Sequence, residues 1–477
     1  MHQNPLNRMG PSATVAAMPD ALTGGTGLRS IAFALFMVLI VFTLLNMPSR
    51  IPVLGVVRPT VLLVALISAL IMASLSQVRT KDTSKTTRYL NLLILYVVVT
   101  LPFVEWPGSV LRFGIEGFVK VAVFFYFAVY LVDSYQRLRI FIFTFLVCQV
   151  IRVLEPLYLH LTTGYWGSRA HMGGGEFMER LAGAPHDIIN PNGLAFVVLT
   201  ALPFLHYLLG GSPRMLARLL YVALLPLILY AFILTGSRSG MVGLVVLYAI
   251  IMLRSRHKLL LAAAAAVAAV ALLGVMSADL SDRYRSITDA DTRHGATAQG
   301  RISGISAELR VGLERPLFGH GLGTSREALF NVAGRDQIAH NLYTEVFVEL
   351  GAVGLIIYLM FLFSVFTNVR SVGQEQRRLR DAPHTGADPP VADRLGFYQR
   401  LADATLVYFL MALVFSLASY GLSNHYWYMA AGLSVALSSL MVRERWHLDR
   451  RQHGPIPPPP QPFNRGSASW SGFKAWG

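Results

Sequence analysis

The sequence predicts an all-α fold: a polytopic transmembrane bundle of about twelve spans. Three observations carry that expectation. Hydrophobic residues make up 54% of the 477 and charged residues only 14%, with a mean hydropathy of +0.51; a soluble multidomain chain does not reach that balance. Apolar runs long enough to cross about 30 Å of hydrocarbon recur along the whole chain. The cations also sort by side. With the N-terminus inside, Arg79, Lys81, Lys85 and Arg88 share one cytoplasmic loop, Arg254, Arg256 and Lys258 a second, and Arg370, Arg377, Arg378 and Arg380 a third. The net charge of +15 therefore reflects topology and anionic membrane lipid, and no nucleic-acid site is expected.

In chain order, residues 1–28 are polar and small and lack a cleavage-site pattern, so they read as a disordered cytoplasmic leader ahead of a retained first span. Spans follow near 30–46, 58–76, 89–104, 117–132, 138–154, 193–209, 216–234, 240–253 and 259–277, then near 342–367, 401–420 and 426–442. Together they form one membrane domain over 29–443. Two long loops lie on the outer face. The first, about 155–192, is rich in Gly, Asn, Pro and aromatic residues and reads as turns at a membrane interface. The second, 277–341, is near neutral, with eight Arg and eight acidic residues. Within it Ile302, Ile305, Leu309 and Leu313 mark one face of a helix lying on the membrane or capping a cavity, ended by Pro316, Gly319, Gly321 and Gly323. Residues 368–400 read as a mobile cytoplasmic loop, and 444–477, with the run PIPPPP, as a disordered Pro-rich cytoplasmic tail. The single cysteine, Cys148, falls in an apolar run and reads as core packing.

Chemistry concentrates on the outer face. His340 opens the helix that enters the membrane after the second loop. Asn341, a good N-cap, gives the imidazole a rigid mount, and Glu345 and Glu349 share a face of the same helix. The turn LTGSRSG, 234–240, sets Arg238 between Ser237 and Ser239, with Gly236 and Gly240 permitting close backbone approach, an arrangement suited to phosphate. Arg301 begins the amphipathic helix. Lys120 and Arg152 interrupt apolar runs near the outer ends of their spans, where a charge is costly unless it faces a cavity or a partner. Each residue also has a plain structural reading: a snorkelling arginine or lysine, a solvated cation, an interfacial histidine. No second His or Cys stands at metal-ligand spacing from His340, so neither metal nor cofactor is expected. Taken together, the arginines, the imidazole and the buried cations on one face of an apolar bundle suit a membrane-embedded diphosphate. Guanidinium groups would stabilise it as a leaving group, and neutral His would accept a proton from an attacking hydroxyl.

Three segments resemble the bacterial O-antigen ligase and polymerase family: Leu234–Gly240; Gly300-Arg301 with Pro316-Leu317-Phe318-Gly319-His320-Gly321; and His340-Asn341-Leu342-Tyr343 with Glu349–Gly354. The resemblance spans about 190–365 by motif. It implies a GT-C-like helical glycosyltransferase that moves a glycan from undecaprenyl diphosphate to a hydroxyl acceptor at the periplasmic face of the inner membrane, without metal. It also implies that Arg238 and Arg301 bind the diphosphate and that His340 is the general base. Ser237, Lys120, Arg152, Asn341 and Glu349 are supporting candidates for binding diphosphate or glycan. Two departures stand out. Ile305 occupies a place where family members often carry Trp, and no large external domain follows the last span. The acceptor is either a lipid A core sugar or another lipid-linked repeat, and Asp187–Asn192 matches exopolysaccharide-associated members. Other polysaccharide assembly proteins are possible partners. Two competing readings are a transporter or flippase for the same lipid-linked glycan, which would place its polar groups near the bilayer midplane, and a scaffold for which the motifs are dispensable.

Overall fold

The computed structural model describes residues 27–74, 84–173, 176–275, 278–285, 295–381, 389–419 and 421–453. Most of the expected leader and tail, and residues 382–388 of the cytoplasmic connection, lie outside them. The described chain is a helical bundle. Helices α1 (Gly27–Leu44), α2 (Pro59–Ser74), α3 (Lys85–Thr100), α4 (Ile115–Leu131) and α5 (Tyr135–Thr163) precede a small hairpin of β1 (Gly167–Gly173) and β2 (Glu176–Leu181). Then come α6 (Pro191–Phe204), α7 (Met215–Leu234), α8 (Arg238–Arg254) and α9 (Lys258–Val275). The second long loop holds α10 (Ala278–Arg285), α11 (Gly295–Glu314) and α12 (Ser325–Ala333), and the chain returns through α13 (Leu342–Asp381), α14 (Pro389–Phe415) and α15 (His425–His453).

Among the described residues, eight helices have the length and apolarity of a membrane span: α1, α3, α4, α5, α6, α7, α13 and α14. The other four expected spans lie on α2, α8, α9 and α15. At 16 and 17 residues, α2 and α8 reach only about 24–26 Å at 1.5 Å per residue, and the second half of α15 is charged.

Burial sorts the bundle into centre and rim. In α6 and α14 67% of the membrane-length window is buried, against 22% in α7. Small residues allow the closest approaches: a Cβ at Gly432 of α15 would stand 2.7 Å from the Ala128 Cβ of α4, and rings of the same two helices, Phe118 and Tyr428, meet edge to face. Cys148 is buried, as a packing role requires.

Two local expectations change. Helix α5 runs to Thr163 and is closed by Gly164 at φ +72°, so the first loop is shorter than expected and contains the β1–β2 hairpin, which pairs Gly167 with Leu181 and Arg169 with Glu179. The charged stretch after residue 367 continues α13 to Asp381; its Gln, Glu and Arg residues are good helix formers. On α11 two leucines of the expected stripe are exposed, as a helix lying on a membrane surface allows. Leu309 and Leu313 are 44% and 65% exposed, while Gly304, Glu308, Val311 and Gly312 face inward.

Candidate active site

The site is held at one end of the bundle by a break in α13. Gly351 has φ +65° and ψ −172°, a conformation open mainly to glycine, and it interrupts the helix after Leu350. The freed backbone pairs with Pro316–Gly321. The His320 N–H donates to Val348 O at 2.9 Å, the Gly321 N–H to Glu349 O at 2.9 Å, and the Ala352 N–H to Pro316 O at 2.7 Å. The Tyr96 hydroxyl satisfies Leu350 O at 2.7 Å. A Cβ at Gly319 would stand 2.4 Å from Glu349 O, and one at Gly351 2.4 Å from Leu317 O. The glycines of this motif therefore serve backbone-to-backbone packing, which fixes the start of α13 against the second loop.

At that start, Asn341 caps the helix as its position predicts. Its Oδ1 accepts from the N–H groups of Tyr343 at 2.9 Å and Thr344 at 3.3 Å, and its Nδ2 donates to Leu417 O at 3.1 Å. Glu345 and Glu349, on the same helix, hold backbone amides of other segments. Glu345 accepts from the Gly421 and Leu422 amides at 2.8 and 3.2 Å, and Glu349 from those of Gly323 and Ser325 at 2.8 and 3.3 Å. The carboxylate that reaches the His340 segment is Glu308 of α11. It accepts the His340 backbone N–H at 3.1 Å and the Thr344 hydroxyl. Glu308 is 1% exposed, and burial raises its pKa above the ordinary 4.5, outweighing the opposing pull of these two bonds.

Arg301 lies on α11 seven residues before Glu308, and two helical turns return to the same face, so position 301 is on the side of α11 that meets the His340 segment. Its side chain lies outside the described residues.

The LTGSRSG turn joins α7 to α8 with Gly236 at φ +55°. The Ser237 hydroxyl accepts from the Gly240 N–H at 3.1 Å, capping α8, and donates to Asn192 Oδ1 at 2.9 Å. Arg238, at the first position of α8, is half-buried. Gly240 serves helix packing, since a Cβ there would come 2.9 Å from the Ala195 Cβ of α6.

Two further arginines, which no sequence motif marks, meet this turn. Arg180 of β2 donates to Thr235 O at 2.8 Å and to Asn192 Oδ1 at 3.0 Å, and Arg283 of α10 donates to Gly236 O at 2.7 Å. Both are buried. Beside them the Tyr284 hydroxyl donates to Ile233 O at 3.2 Å; burial pushes its pKa up to about 12 against the pull of the two guanidiniums.

Arg152 of α5 is buried and ion-paired. It meets Asp187 through two bonds of 2.9 and 3.0 Å and donates to the Tyr426 hydroxyl at 2.7 Å. Asp187 lies in the loop that leads into α6 and Asn192 in the first turn of that helix, so this segment links Arg152 to the Ser237 turn. Lys120 stands apart: it is exposed and pairs with Glu116 one turn away at 2.5 Å.

Helix α14 connects the parts. Near its end, Phe415 lies beside Gly243 of α8 and stacks near Phe196 of α6, with centroids 4.9 Å apart, while Leu413 and Leu417 accept from Tyr343 and Asn341. The turn bearing Arg238 and the segment bearing His340 thus share one end of the bundle.

No curated protein matches the chain. A family model described as O-antigen ligase matches residues 222–359, from within α7 to within α13, and so takes in Arg238, Arg301, Glu308 and His340. Over this stretch the chain is similar to the O-antigen ligase family, the one its three motifs resemble.

Proposed function

We propose that the protein transfers a glycan from undecaprenyl diphosphate to a hydroxyl acceptor at the periplasmic face of the inner membrane, as an O-antigen ligase or a closely related surface-polysaccharide polymerase. The observation that carries this reading is the gathering of the Arg238 turn, the α11 face carrying position 301 and the Glu308-anchored His340 segment at one end of an apolar bundle.

The diphosphate of the donor binds Arg238 and Arg301, with Ser237 and the first amides of α8 as further donors. The acceptor hydroxyl meets neutral His340, which takes its proton as the oxygen attacks the anomeric carbon. The bond from that carbon to the diphosphate oxygen breaks, and the two arginines stabilise the negative charge left on the departing lipid diphosphate. Asn341 and Glu349 hold the backbone on either side of His340 in register, and the Arg152–Asp187 pair supports the Ser237 turn. Lys120, exposed and paired with Glu116, has the weakest support as a binding residue.

Purified protein given undecaprenyl-diphosphate glycan, with and without a lipid A core acceptor, tests the reading. A single shifted product that requires the core identifies a ligase, and a ladder formed without it a polymerase. No release of lipid diphosphate under either condition would reject glycan transfer.

A further inference from the structure

The end of the bundle opposite the candidate site holds a cavity of about 350 Å³, lined by Arg254 of α8, Arg370, Gly373 and Arg377 of α13, and Asp403 of α14. Arg254 ends the helix that Arg238 begins, 16 residues or about 24 Å away. Arg370 and Arg377 are seven residues apart, hence two turns along one face of α13. Three arginines and one carboxylate therefore line the cavity, and that carboxylate is bound to Arg254. The nearby Glu375 does not neutralise the cavity, because its carboxylate pairs with Arg445 at 3.0 Å. The rest of the wall is largely apolar, with Phe366, Val369, Leu406 and Leu410.

In the sequence these arginines read only as the basic loops of a membrane protein, a role that needs no particular geometry. Their convergence on a single cavity with a largely apolar wall goes further. We infer that this cavity is a binding site for a phosphate-ester anion carried on a membrane lipid, with the headgroup phosphate between Arg370 and Arg377 and the first methylenes of the acyl chains against Phe366 and Leu410. Its volume lies at the small end of the range of about 300–1,000 Å³ for small-molecule sites. That size suits a headgroup and the start of its chains. Basic pockets between membrane helices favour anionic headgroups by charge, and the apolar part of the wall favours a lipid over a free ion. The site is independent of the glycan-transfer reading.

Native mass spectrometry of the full-length protein, titrated separately with phosphatidylglycerol, phosphatidylcholine and inorganic phosphate, tests the inference. Phosphatidylglycerol should bind wild type and Arg378→Gln alike, since Arg378 lies beside Glu375. It should bind the Arg370→Gln/Arg377→Gln double variant roughly 30-fold more weakly. Gly373→Leu supplies a variant that keeps every charge: no atom lies within 4 Å of a Cβ there, and the larger side chain fills the cavity, so it too should lose the lipid. Equal phosphatidylglycerol binding by the double variant, or by Gly373→Leu, would overturn the site. Phosphatidylcholine binding as tight as phosphatidylglycerol would overturn its selectivity for anions. Inorganic phosphate displacing phosphatidylglycerol at equal concentration would overturn the assignment to a lipid.

Discussion

The Glu308 carboxylate accepts the backbone N–H of His340 at 3.1 Å, tying the loop helix that carries position 301 to the first residues of the helix that follows His340. The contact joins two segments more than 30 residues apart and is fully buried on the Glu308 side. Glu308→Ala removes the acceptor of the His340 N–H and leaves the Thr344 hydroxyl only Asn341 O at 3.2 Å, at a cost of about 1–3 kcal/mol for a buried group left unpaired. Under the proposed mechanism kcat falls more than tenfold. Glu308→Gln keeps an amide oxygen for the His340 N–H and restores most of the rate. Steady-state kinetics of the two variants check this, and equal losses in both would remove the positioning role.

Glu308 also gives the stability a pH dependence of known sign. Its folded-state pKa is raised above 4.5, so its contribution is fully present below the unfolded value and is lost as pH rises through the folded value. Thermal unfolding of wild type minus Glu308→Gln, followed from pH 4 upward, should show wild type losing ground as pH rises. A difference that is flat or of opposite slope contradicts the assignment.

Gly351→Ala and Gly319→Ala should each disrupt the pairing of Pro316–Gly321 with Val348–Ala352. Both positions have positive φ, and the added Cβ of each meets backbone at 2.4 Å, so no side-chain adjustment relieves the clash. Each substitution is expected to lower stability by more than about 2 kcal/mol. Limited proteolysis within 316–345 provides the readout, with faster cleavage expected.

The Arg152–Asp187 pair is buried on both sides, at 7% and 3% side-chain exposure. Removing one partner leaves an uncompensated buried charge and is expected to cost about 3–5 kcal/mol. Asp187→Asn should therefore destabilise the protein more than the double variant Arg152→Met/Asp187→Asn. A double-mutant cycle on unfolding temperature decides the matter, and additive effects would show the pair to be uncoupled.

The helical membrane fold was legible because hydropathy is a local property: each apolar run reports its own burial. Asn341 was legible for the same reason, as a cap immediately before an apolar run. Glu308 was not, because it lies off the apolar stripe of Ile305, Leu309 and Leu313 that marked the helix, on the face that turns into the protein. Its spacing of seven from Arg301 was the available signal. Arg180 and Arg283 were hidden among many loop arginines, since only the folded turn presents the Thr235 and Gly236 carbonyls they hold. The β1–β2 hairpin was missed because GSRAHMG and EFMERL lack an alternating apolar pattern. The glycines at 319 and 351 were visible, but the backbone pairing that requires them joins distant segments.

The central claim is that His340 takes the proton of the acceptor hydroxyl. Its most direct test is single-turnover transfer from undecaprenyl-diphosphate glycan in His340→Ala and His340→Gln, reconstituted in membranes beside wild type and checked for an unchanged thermal unfolding profile. The prediction is loss of at least about 100-fold in rate in both variants, with donor binding retained. Transfer by folded His340→Ala at a rate near wild type would contradict the account.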